Sequence, residues 1–171
     1  MPLQPAVLQD IDAVIRPFRP ADLEAILAIT LASFPDVSID RNIEQEFGFV
    51  GGHDWRARKA RDVQNDCEVN PTGVFVAERS GQVLGYVTTR VDPEMRIGRI
   101  PNVAVSETAR SSGIGSTLIQ RALDHLTDEG MAMARIETLE QNERGRSLYP
   151  RFGFREVARQ IHYAAPLSPL K

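Results

Sequence analysis

The chain has 171 residues, 42% hydrophobic and 25% charged, with 20 Lys and Arg against 23 Asp and Glu for a formal net charge of −3. This composition excludes a disordered or fibrous chain, and the near balance of charge leaves nucleic acid only a local patch to bind. Cys67 is the only cysteine, which excludes an intrachain disulfide and a cysteine-built zinc site.

Residues 1–12 lack the basic start of a secretory signal and carry Pro2, Pro5, Asp10 and Asp12. They are expected to form an N-terminal extension of a cytoplasmic protein. No run reaches the ~18 apolar residues that cross a bilayer. Residues 13–18 fit a strand. Pro20 suits a first helical position, where its missing N–H costs nothing, and Asp22 and Glu24 follow at the positive end of the helix dipole. Leu23, Ile26, Leu27, Leu31 and Phe34 recur on one helical face until Pro35. Residues 38–47 and 54–65 fit two further helices, parted by Gly48 and the Gly51-Gly52 pair. The second carries Arg56, Arg58, Lys59 and Arg61 and reads as a solvated face.

From Val74 the period changes to two. Residues 74–78 and 83–90 flank Ser80-Gly81 as a hairpin, Asp92-Pro93-Glu94 makes a turn, and residues 99–105 fit a third strand. Residues 113–129 predict an amphipathic helix with the stripe Ile114, Leu118, Ile119, Ala122, Leu123 and Leu126, closed by Gly130, with His125 on its polar side. Residues 133–139 predict a strand, 143–149 a short helix and 154–163 a last extended segment, before a loose tail at 164–171. The order predicts an α/β (α+β) layered sheet within one domain, residues 13–163. His53, His125 and His162 share no ligand spacing, so no metal is expected, and Cys67 has no neighbouring histidine to activate it.

The densest chemistry lies where Val103-Ala104-Val105 leads into Arg110-Ser111-Ser112-Gly113-Ile114-Gly115-Ser116: a strand, a loop of small residues and a helix start. Free N–H groups at a helix N-terminus suit a phosphate, glycines let it approach, serine hydroxyls donate, and Arg110 adds a charge-assisted bond. A plain glycine-rich turn reads the same way. A dinucleotide fingerprint needs a third glycine where Leu118 stands, although Glu137 after the following strand suits a ribose; a Walker loop needs a lysine that is missing here.

This stretch resembles the acetyl-CoA signature of the GCN5-related N-acetyltransferase (GNAT) superfamily. Asn142-x-x-Gly145-x-x-x-Tyr149-x-x-x-Gly153-Phe154 resembles its second hallmark, and residues 15–26 resemble its first strand and helix. The resemblance covers residues 13–163 and is weakest over 36–72. It implies a mixed sheet, antiparallel through four strands, with a parallel, splayed pair at the Val103 and Met133 strands and about four flanking helices. Proline is disfavoured inside a central strand unless a bulge interrupts the ladder, and Pro101 fits the bulge that such a splay carries or the start of the strand.

The resemblance implies acetyl-CoA as acyl-donor cosubstrate and an amine-bearing acceptor: a small amine, a protein N-terminus or a lysine. No nucleic acid or membrane partner is expected, and the chain is expected as a monomer or homodimer. Val103-Ala104-Val105 would lie along the pantetheine arm, pairing through the backbone of Val103 and Val105. Arg110, Ser111, Ser112, Gly113, Ile114, Gly115 and Ser116 would cradle the pyrophosphate, and Asn142 would bond near the pantetheine. Tyr149 would protonate the departing thiolate, and Glu137 would take the proton that an alkylamine carries near pH 7. Ser111 and Ser112 stand where the family often has a basic residue, Gly145 where it commonly has alanine, and Pro150 directly follows Tyr149. A non-catalytic CoA-binding module and a nicotinamide oxidoreductase are the alternative classes.

Overall fold

The computed structural model describes residues 12–167, so most of the expected extension and the end of the tail lie outside the described residues. Its frame is a five-stranded sheet in the order β1 (Val14–Pro17), β2 (Val74–Arg79), β3 (Gln82–Asp92), β4 (Ile97–Val105) and β5 (Met133–Ile136). The first four strands pair antiparallel and β4 pairs parallel with β5. Between β1 and β2 run α1 (Leu23–Ser33), α2 (Ile39–Phe47) and α3 (Trp55–Val69). The parallel step from β4 to β5 is bridged by α4 (Ile114–Asp128), and α5 (Glu143–Leu148) follows β5.

Helices cover both faces, so the central strands are apolar on both faces rather than one. On β2, Val74 and Val76 pack under α1 and α3 with Ile26, Ile29, Val63 and Tyr86. Phe75 and Ala77 alternate to the other face, against Leu118, Ile119, Ala122 and Leu126 of α4. Each such large apolar side chain contributes about 1.5–3 kcal/mol by leaving water. Arg16 ties β1 to the start of α1: its guanidinium donates to both Asp22 oxygens at 2.7 and 2.8 Å and to Glu78 at 2.6 Å. The hairpin turns through left-handed Ser80 (φ 50°) and Gly81 (φ 80°), as two-residue loops require.

Among the described residues five α-helices flank the sheet, in keeping with the expected mixed α/β fold. Four expectations are corrected. α3 is not solvated all round: Trp55, Val63, Asp66 and Cys67 are buried, a stripe that its many arginines mask. His125 faces inward, edge-on to Phe75 with ring centroids 5.3 Å apart. β5 ends at Ile136 instead of Leu139, because the chain parts from β4 there. Residues 154–163 pair with no strand among the described residues, and Val157, Ile161 and Tyr163 stand exposed. No described helix is long and apolar enough to cross a membrane.

Candidate active site

Thr88 pairs with Asn102 and Arg90 with Arg99, so Thr89 of β3 lies opposite both Ile100 and Pro101 of β4. This is a β-bulge, and it reverses the pleat. Before it, Gly98 and Ile100 face α4; a Cβ on Gly98 would meet Leu126 at 2.5 Å. After it, Asn102 and Ala104 face α1 and α3. Pairing with β5 stops at the same point, with Ile100 opposite Ile136. Pro101 thus sits where the ladder is already broken.

Beyond the bulge, the Ser106 N–H donates to the Leu84 carbonyl at 2.8 Å. Antiparallel alternation then turns the backbone groups of Asn102 and Ala104 toward β3, and those of Val103 and Val105 away from it. β5 has ended there, so the Val103 and Val105 backbone lines a slot with no strand partner among the described residues.

The slot leads to the small-residue loop. Ser111 (φ 64°) and Gly113 (φ 84°) are both left-handed, and the Ser112 hydroxyl is turned inward to the Ala109 carbonyl at 2.6 Å. The first bond inside α4 runs from the Thr117 N–H to the Gly113 carbonyl at 3.1 Å. The N–H groups of Ile114, Gly115 and Ser116 therefore emerge from the helix end without an intrahelical acceptor. Gly115 lies under Val105 and Leu148, with a Cβ there 3.7 and 4.0 Å from them. Arg110 stands beside the loop, 3.7 Å from Glu107.

The other wall is the turn after β5. Asn142 caps α5: its Oδ1 accepts from the Gly145 N–H at 3.1 Å, while its Nδ2 donates to the Thr138 hydroxyl at 2.8 Å. One donor and one acceptor site of the amide are therefore engaged within its own loop. Tyr149 closes α5 with its ring edge-on to Phe154. Its hydroxyl stands beside Thr138, and burial pushes its pKa up, so the phenol keeps its proton at neutral pH. Pro150 continues the chain as a 3-10 turn, Tyr149–Phe152, that reverses at Gly153. Glu137 lies one residue past β5, where its Oε1 accepts from Arg135 at 2.9 Å and lies 3.9 Å from Arg99.

At the bulge the register sets Arg90 against Arg99 and Arg99 against Arg135. With Ile100, Pro101 and Glu137 these arginines line a cavity of about 170 Å³. Behind them runs a polar chain. Lys59 Nζ donates to Asn102 Oδ1 at 2.8 Å, Asn102 Nδ2 donates to Asp66 Oδ2 at 2.7 Å, and Arg90 Nε donates to Asp66 Oδ1 at 2.8 Å. The Lys59 ammonium also stands 4.5 Å over the Phe34 ring, and burial holds its pKa below the usual lysine value.

Sequence reasoning singled out the loop, Glu137, Asn142 and Tyr149 and did not anticipate this second cluster. The signal was present: Trp55, Lys59, Val63, Asp66 and Cys67 share one helical face, and Asn102 interrupts an apolar strand. The structure brings Val103, Val105, Ile114, Gly115 and Ser116 around one slot, and Glu137 to the bulge cavity instead. Among the described residues no group of three or more His, Cys, Asp or Glu is placed to hold a metal.

The model of the acetyltransferase (GNAT) family matches residues 37–154. A mycothiol acetyltransferase from Parafrankia sp. (strain EAN1pec) is 31% identical over 185 residues, covering 92% of this chain and 54% of the relative. The chain spans about half the length of the curated relatives it matches. Among solved structures, Ard1 from Thermoplasma volcanium has a TM-score of 0.67 at 22% identity, covering 86% of each chain. The PaiA N-acetyltransferase from Thermoplasma acidophilum, in complex with coenzyme A, has a TM-score of 0.65 at 16% identity, covering 81% of this chain and 87% of that one. At those identities the likeness is one of fold.

Proposed function

The chain belongs to the acetyltransferase (GNAT) family, and from that premise we propose that residues 13–163 transfer acetyl from acetyl-CoA to a primary amine by direct attack in a ternary complex. The observation that carries this reading is the bulge at Pro101. It ends the parallel pairing at Ile100 and leaves the Val103 and Val105 backbone free beside the N-terminus of α4. An amide-rich arm such as pantetheine can pair with those groups as an added strand. Its pyrophosphate then meets the N–H groups of Ile114, Gly115 and Ser116 at the positive helix end, with Arg110 alongside.

The amine nitrogen attacks the thioester carbon, the carbon–sulfur bond breaks, and an amide and a thiol result. An alkylamine with a pKa of about 10 is mostly protonated at pH 7, so a base must take one proton; Glu137 is the base assigned in this reading, acting directly or through a water. The departing sulfur needs a proton, which the protonated Tyr149 phenol supplies, and the second proton that the nitrogen sheds on becoming an amide restores the phenol. The relatives' name adds a mycothiol-related amine to the acceptor classes of small amines, protein N-termini and lysine.

Acetyl-CoA at about 100 times its Kd should stabilise the fold by ~2.7 kcal/mol, a Tm rise of roughly 5–10 °C for a chain this size, and NADH should leave Tm unchanged. A panel of those four acceptor classes, followed by thiol release from acetyl-CoA, then identifies the acceptor. No Tm shift with acetyl-CoA, or an equal one with NADH, would overturn the reading.

A further inference from the structure

We propose that the row Arg90, Arg99 and Arg135 selects acceptors carrying an anionic group, a carboxylate or a phosphate, within a few bonds of the reacting amine. The proposal rests on the acetyltransferase reading and adds the chemical class of its acceptor.

Three observations converge on it. The register sets the three arginines at facing positions across β3, β4 and β5, and their side chains line one cavity. Like charges opposite one another destabilise a sheet, so folding alone gives no reason for the row. Among the described residues the carboxylates ion-paired with it are Asp66 and Glu137, and both are shared, while Asp62 and Asp92 stand nearby. Asp66 also accepts from Asn102, and one Glu137 oxygen serves both Arg99 and Arg135. Most of the guanidinium N–H donors are thus left without a carboxylate partner among the described residues. The third observation is access. The three side chains are about half exposed and line the cavity at the bulge.

Position gives the row its meaning. On β4, Arg99 precedes Pro101 and the Val103 slot follows it, so the cavity and the donor slot adjoin at the point where the strands part. A guanidinium presents a planar fork of donors that matches carboxylate and phosphate oxygens. The same positive field disfavours an ammonium in the cavity and so favours the neutral amine that attacks. A polyamine or a lysine within a basic peptide is disfavoured by the same three charges.

Matched acceptor pairs test this: β-alanine against β-alaninamide, and O-phosphoethanolamine against ethanolamine. In the wild type kcat/KM should favour the anionic member of at least one pair by about 10- to 100-fold, the worth of a charge-assisted hydrogen bond, and the carboxylate and phosphate arms identify the anion. Arg99→Gln and Arg135→Gln should each shrink that ratio to within about threefold. Arg90 is left intact, because removing it would strand the buried Asp66. Equal kcat/KM within both wild-type pairs, or a ratio kept in both variants, overturns the inference while leaving the acetyltransferase reading in place. Turnover of no amine counts against that reading instead, and the inference is then read from inorganic phosphate binding. Isothermal titration in saturating CoA should show a phosphate site in the wild type that Arg99→Gln and Arg135→Gln weaken by about tenfold. A site that both variants keep, or none in the wild type, overturns it.

Discussion

A methyl group on Gly145 would stand 2.9 Å from the Tyr149 hydroxyl oxygen and 3.0 Å from its ring. The missing side chain in α5 therefore makes room for the phenol. Gly145→Ala sets two effects against each other: a helix-propensity gain of up to about 1 kcal/mol and displacement of a stiff ring. We expect a Tm unchanged or slightly raised and thiol release slowed about tenfold. With Tyr149→Phe in the same chain the second substitution should add little; losses that add in full would place the effect of Gly145 elsewhere.

Tyr149→Phe removes one oxygen and keeps the ring against Phe154. CoA affinity should stay within a small factor, and the chemical step should slow by ~10²–10⁴-fold, the range for a positioned acid. Burial raises this phenol's pKa, so the wild-type rate should show no titration of it from about pH 6 to pH 9. An unchanged single-turnover rate would reduce Tyr149 to a packing residue.

Glu137→Gln acts on the other proton. Its rate loss should shrink as pH rises toward about 10, where the amine loses its proton unaided, whereas the Tyr149→Phe loss should not recover. A pH-independent loss would make Glu137 a partner of Arg99 and Arg135 and no more.

Arg110→Ala should weaken CoA but hardly affect a pantetheine fragment without phosphates, since a phosphate contact acts only when the phosphate is present. Equal weakening of both, measured by titration calorimetry, would make the arginine structural. Gly113→Val should be worse still, because its φ of 84° is left-handed and β-branched residues resist that conformation.

His125 gives the fold a pH dependence. Burial beside Phe75 lowers its pKa below the ordinary 6.5, so the folded state favours the neutral ring. The stability it contributes is complete above pH 6.5 and is lost as pH falls below that value toward the folded-state pKa. Tm should therefore decline as pH falls below about 6.5, and His125→Phe should flatten that part of the curve. An identical slope in the variant would exclude His125 as its origin.

The parts legible in the sequence are those where one periodicity serves one buried face. The α4 stripe from Ile114 to Leu126 is buried as its spacing predicts, and Ser80-Gly81 turns the expected hairpin. Legibility fails where local pattern meets a non-local partner. Val157, Ile161 and Tyr163 have strand-like spacing, but alternation cannot supply a ladder, and β5 offers only a four-residue edge. Along β4 the buried positions Gly98, Ile100, Asn102 and Ala104 alternate without a break, yet the first two face α4 and the last two face α3. Nothing in the alternation records the change. The site was half legible for the same reason: the glycine loop is contiguous, whereas Lys59, Asp66 and Asn102 meet only when α3 lies across β4.

β4 therefore behaves like a message with a one-letter frameshift written into it. Its first half is read in one frame and its second in the other, and Pro101 is the inserted letter. Removing that letter would leave every other residue in place and still garble the text. One half of the strand would send core positions to solvent and arginine into the interior, or the other half would turn Asn102 away from Lys59 and Asp66. The length of this strand is thus fixed to the residue, so insertions and deletions should be tolerated in the turns at Ser80-Gly81 and Pro93-Glu94 and nowhere between Arg99 and Asn102.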